Sequence, residues 1–114
     1  MRKLTPKQKQ RIKEVRERNQ YINQIIVEKI EDGISPLPLN LMLEARFNNL
    51  VIAGILVEGE IAYLQEKEEV NEGLLEVKQK RLFAIKSQLN ELNNVADLLK
   101  KFSKRGRTFE ILEV

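Results

Sequence analysis

The chain has 114 residues, 42% hydrophobic and 32% charged, which is the composition of one small globular domain. It contains no Cys, His or Trp, which excludes disulfides, thiolate or imidazole metal sites, and catalysis by a histidine base or a cysteine nucleophile. The net charge of +3 hides a division: residues 1–18 hold eight basic groups against two acidic, residues 19–99 seven against thirteen, and residues 100–114 five against two.

Thr5-Pro6 reads as a helix start, with a capping hydroxyl followed by a proline that sacrifices no needed donor. No Gly or Pro interrupts the chain from there to Gly33, so a helix is predicted over about 6–31. Ile12, Val15, Ile22 and Ile26 form its apolar stripe. Asn19 falls in the same seam. It either specifies register and partner number, as a buried Asn does in coiled coils, or is exposed because the seam begins at Ile22. The amino-terminal half is mostly polar and is expected to project while the Ile-bearing half docks. Lys7, Arg11 and Arg18 flank the stripe on one side; Lys9, Lys13 and Arg16 flank it on the other. Together they are a candidate surface for an anionic partner, nucleic acid included. No aromatic side chain interleaves with them before Tyr21, so base stacking is not prepared, and a solvated helix face is the plainer reading.

Ser35-Pro36-Leu37-Pro38 cannot sit inside a helix and marks a linker over 34–39. A second helix is predicted over about 40–66. Leu43, Phe47, Leu50, Gly54, Val57, Ile61 and Leu64 follow steps of four and three along it. Val51, Ile55 and Ala62 make a second apolar row, and Ile52, Leu56 and Tyr63 a third, so burial on every side is expected around 50–57. The rival reading of 50–57 is a buried strand, since four of its residues are β-branched. Gly54 is expected to permit a close helix–helix approach. Asn19, Leu50, Ile52, Gly54, Leu56 and Tyr63 are the candidate oligomer or partner surface. The longest apolar run, 50–57, is far short of the roughly 20 residues of a membrane span.

Residues 67–73 are polar and read as a turn ending at Gly73. The carboxylates of Glu66, Glu68, Glu69, Glu72 and Glu76 lack the spacing of a calcium loop and read as a solvated cluster. A third helix is predicted over about 74–103, with Leu75, Lys78, Leu82, Ile85, Leu89, Leu92, Ala96 and Leu99 in its seam. The heptad phase also runs through the turn, so one continuous rod competes with a hairpin. Poor seam residues at Glu68, Asn71 and Gly73 favour the hairpin. The tail, 104–114, ends in strand-like alternation, with Phe109, Ile111 and Val114 as candidate docking residues.

The expected protein is all-α: a single helical domain over 1–114, with an extended basic N-terminal helix, a long antiparallel helical hairpin in a coiled-coil-like bundle, and a short strand-like C-terminal tail. No catalytic, cofactor or metal site and no small-molecule substrate is indicated. The expected function is that of a non-enzymatic interaction protein (regulator, inhibitor, adaptor or assembly subunit) acting by protein–protein binding and self-association. The alternative is a nucleic-acid-binding accessory protein using the basic first helix and the basic segment 100–107. No signal peptide or membrane span is read, so a cytoplasmic location is expected.

Overall fold

The computed structural model describes residues 1–33 and 38–103, with side chains to Lys101. It contains three helices, α1 (Pro6–Glu31), α2 (Leu39–Gln65) and α3 (Glu72–Ser103). The candidate docking residues Phe109, Ile111 and Val114, and the linker residues Ser35, Pro36 and Leu37, lie outside the described residues.

α1 begins in a complete capping box. The Gln8 backbone N–H donates to Thr5 Oγ1 at 3.1 Å, and the Thr5 N–H donates to Gln8 Oε1 at 2.9 Å. Gly33 ends the helix at φ +68°, where its N–H donates to the Ile30 carbonyl at 3.1 Å. α3 begins on Asn71, whose side-chain oxygen accepts the Leu74 N–H at 3.0 Å. That cap places the turn at 66–71, and Gly73 sits inside the first turn of α3 rather than closing the turn before it.

Residues 50–57 are helical, so the strand reading falls; the three-four apolar spacing outweighs the β-branched content. α2 carries two buried seams. Leu50 and Val57 form a cluster with Ile85 of α3, on which Ala53, Ile61, Leu82, Leu89 and Leu92 pack. Each such buried aliphatic side chain contributes roughly 1.5–3 kcal/mol of transfer free energy. Leu41, Asn48 and Gly59 are buried on the other side, against α1 and the segment before it. Leu50 and Gly59 are nine residues apart, which is half a revolution at 100° per residue, so the two seams are back to back.

The helices run antiparallel in sequence order. Lys78 pairs with Glu60, and Gly54 lies beside Ile85, which excludes the continuous rod. Arg18 pairs with Glu44, and the Lys3 N–H bonds the Gly59 carbonyl at 2.9 Å. α1 and α3 do not touch. The result is a single layer α1–α2–α3, measuring 58 × 24 × 21 Å, with α2 in the middle.

α1 does not project. Ile12 and Val15, in the half read as polar, are buried in the same seam as Ile22. The anchor is the segment before the helix, where Leu4 and Arg2 close over Gly59. α2 also has the length and mean hydropathy of a membrane-crossing helix, though its longest unbroken apolar run is only eight residues. The core helix of a layer between two neighbours meets the same criterion.

Candidate functional site

Between α1 and α2 lies a polar seam. Asn19 is 9% exposed and Asn48 8%. Asn19 Nδ2 donates to Asn49 Oδ1 at 2.9 Å and to the Ala45 carbonyl at 3.3 Å, while its Oδ1 accepts from Asn48 Nδ2 at 3.0 Å. Of the two readings of Asn19, the buried one holds, and its partner is α2 of the same chain. One turn along, Arg18 grips Glu44 with both ends of its guanidinium, at 2.5 and 2.9 Å. The Arg18 hydrogen bond is the main reason the Glu44 carboxyl sits below the usual range; Arg18's charge and a hydrogen bond from Asn48 add to it, against partial burial. Buried amides and a forked ion pair reward one alignment of α1 on α2 and penalise others, because a slipped register leaves them without partners.

A second charge cluster joins all three parts of the layer. Glu60 takes Lys78 of α3 at 2.6 Å and Arg2 of the amino-terminal segment at 3.4 Å. Its carboxyl is held down first by Lys78 and then by Arg2, with desolvation opposing. Lys3 pairs with Glu66, and Gln8 reaches Glu58 at 3.4 Å. Part of the basic amino terminus is thereby neutralised by the acidic middle of the same chain.

The rest is not. Lys7, Lys9, Arg11, Lys13 and Arg16 are exposed, and none has a carboxylate partner among the described residues. Arg18 alone of the six candidate cations is committed within the chain.

The candidate partner surface divides in the same way. Leu50 and Gly54 are buried in the α3 seam and Asn19 in the α1 seam, so the chain itself occupies them. Ile52 is partly buried toward α1. Leu56 and Tyr63 are partly exposed, on a side of α2 between its two neighbours. On the opposite uncovered side are Phe47, Val51, Ile55 and Ala62, also partly exposed. Gly54 does not have the role expected of it. A Cβ there would meet Ile85 Cγ2 at 3.5 Å, an ordinary contact. Gly59 is the close-approach glycine, since its Cβ would stand 2.5 Å from Leu4 Cδ2. The carboxylates around 66–72 are exposed, and no group of three or more metal-ligating side chains converges among the described residues.

Asn48 and Asn49 are site residues that sequence reasoning missed. Their signal was two adjacent amides in an otherwise apolar stretch, Phe47 to Val57. Comparison with protein-family models, with curated proteins and with solved structures finds no match.

Proposed function

We propose that this chain is a non-enzymatic interaction protein, a regulator, inhibitor, adaptor or assembly subunit that acts in the cytoplasm by protein–protein binding through the uncovered sides of its helical layer. One observation carries the reading: α2 is apolar on every side over residues 50–57, yet among the described residues only two opposite sides are packed by a neighbouring helix, because α1 and α3 do not meet. Apolar surface left open along a helix is the usual signature of a partner site. A groove of about 310 Å³ lies beside Val27. It is open to solvent and lined by Asn23, Gln24, Val27 and Glu28, with one titratable group and no converging pair.

The test is a charge placed on the open side. Leu56→Glu abolishes association, with itself or with another protein, while circular dichroism stays helical. Phe83→Glu, at a side chain already 74% exposed on α3, leaves association intact. A purified chain that forms no complex sensitive to Leu56→Glu removes the reading.

A second reading rests on a separate observation, the five cations of α1 without carboxylate partners. It makes the chain a nucleic-acid-binding accessory protein that neutralises backbone phosphates.

A further inference from the structure

α3 uses one stripe against α2, centred on Leu82, Ile85, Leu89 and Leu92. About 100° around the helix runs a second stripe that α2 does not cover. It begins at Leu74 and ends at Leu98, alternating steps of three and four, which is a heptad seam about 36 Å long. Every position in it is exposed, its large apolar side chains from 40% at Leu74 to 60% at Val77. Arg81 and Glu91 belong to it, and neither has an ion-pair partner among the described residues.

The positions of the stripe are symmetric about residue 86, with its outer pairs alike and its charged pair of opposite sign. Leu74 is matched by Leu98, and Val77 by Val95, at equal distances from the centre. Small Ala84 is matched by Gln88, and cationic Arg81 by anionic Glu91. A surface ordered in this way is complementary to an antiparallel copy of itself. Leucine meets leucine, valine meets valine, and each Arg81 meets the partner's Glu91, a pair made twice by symmetry. Parallel pairing at the same positions sets like charges against each other.

We propose that two copies of this chain pair through α3, antiparallel about a two-fold axis at residue 86. The proposal rests on the protein-binding reading above and names the partner as a second copy. Because the stripe stands near a right angle to the α2-facing one, the two α2–α3 hairpins form a four-helix arrangement. The handedness of the helices puts the stripe on the same broad side of the layer as Leu56 and Tyr63, so those side chains turn toward the partner hairpin. A face about 36 Å long and two helices, roughly 20 Å, wide presents about 700 Å² per copy, close to the roughly 800 Å² per partner of a stable interface.

The chain has no native Cys, so single cysteines report the register cleanly. Full-length Val77→Cys and Val95→Cys are purified, then oxidised separately and mixed. The mixture is expected to give a disulfide-linked pair, and each variant alone is not. Cross-linking of Val77→Cys with itself to the same extent as the mixture means a parallel register and overturns the proposal. In sedimentation, Arg81→Glu and Glu91→Arg each weaken self-association at least about tenfold, and the double variant restores it. Both positions are exposed, so the fold is not at stake, and circular dichroism checks that. Dimerisation unchanged by either reversal overturns the proposal. A chain that stays monomeric at about 100 µM but still binds another protein in a Leu56-dependent way overturns the pairing and leaves the protein-binding reading standing.

Discussion

Two glycines on α2 look alike in sequence and face opposite demands. Gly54 has room for a methyl group beside Ile85, and glycine in a helix interior costs about 0.5–1 kcal/mol relative to alanine. Gly54→Ala is therefore expected to stabilise the chain by up to about 1 kcal/mol in urea unfolding. Gly59→Ala gains the same helix propensity but drives Leu4 and Arg2 off the helix. Its mark is faster hydrogen exchange at the Lys3 amide, which bonds the Gly59 carbonyl. Asn19 makes a different kind of demand. Truncating it to Ala leaves a buried Asn48 amide hydrogen without its acceptor, a loss of about 1–3 kcal/mol in the same assay. The carboxylates of Glu44 and Glu60 give the interface its pH dependence. Both titrate below their unfolded value when folded, so their stabilisation is complete above about pH 5. It drains away as pH falls through the usual carboxylate range to the depressed folded values. Melting temperatures followed from pH 7 to 3 should fall along that course, and Glu44→Gln should start lower at pH 7 and fall less.

At the scale of the elements, the hairpin of α2 and α3 is the apolar half of the protein, and α1 is attached to it by a mixed seam. Leu50→Ala, in the cluster with Val57 and Ile85, is expected to cost about 2–5 kcal/mol. Spin labels at positions 43 and 99, at the start of α2 and the end of α3, should lie well under about 50 Å apart; a rod would hold them at about 84 Å. The helix ends were legible because their signals are local: Thr5 with Pro6, Gly33, and the steps of three and four in α2 and α3. The carboxyl end of the turn was misread because Gly73 was the more conspicuous signal, while Asn71 supplied the cap. What local pattern could not supply was the assignment of neighbours. α2 has three apolar rows, and nothing within the helix says which of them meets α1, α3 or solvent. Asn19 was visible as a buried candidate, but its partners Asn48 and Asn49 follow only once α1 is laid antiparallel on α2. The same ignorance hid the docking of Leu4 at Gly59, a contact between residues more than fifty positions apart.

For the whole molecule the open question of mechanism is where its charge goes. The acidic middle reaches back along α2 to neutralise Arg2, Lys3 and Arg18, and it stops there. Lys7, Lys9, Arg11, Lys13 and Arg16 remain on both flanks of α1, facing water at one end of a 58 Å body. If they contact the backbone of duplex DNA, five neutralised phosphates give a log–log slope of affinity against salt near −4.5. Reversing Lys9, Lys13 and Arg16 to Glu abolishes that binding without unfolding the chain, since all three lie off the buried stripe of Ile12, Val15 and Ile22. A wild-type chain that binds neither DNA nor RNA at low salt ends the nucleic-acid reading. Binding that survives the triple reversal moves the site elsewhere. The same variant separates an acidic protein from a nucleic acid. Against a protein surface the charges act mainly on encounter, so the reversal slows association at low salt and matters less at high salt, while apolar contacts around Leu56 hold the complex. The protein-partner outcome is expected, because phosphate binding is prepared here by charge alone, with no aromatic side chain among the five cations to stack on a base.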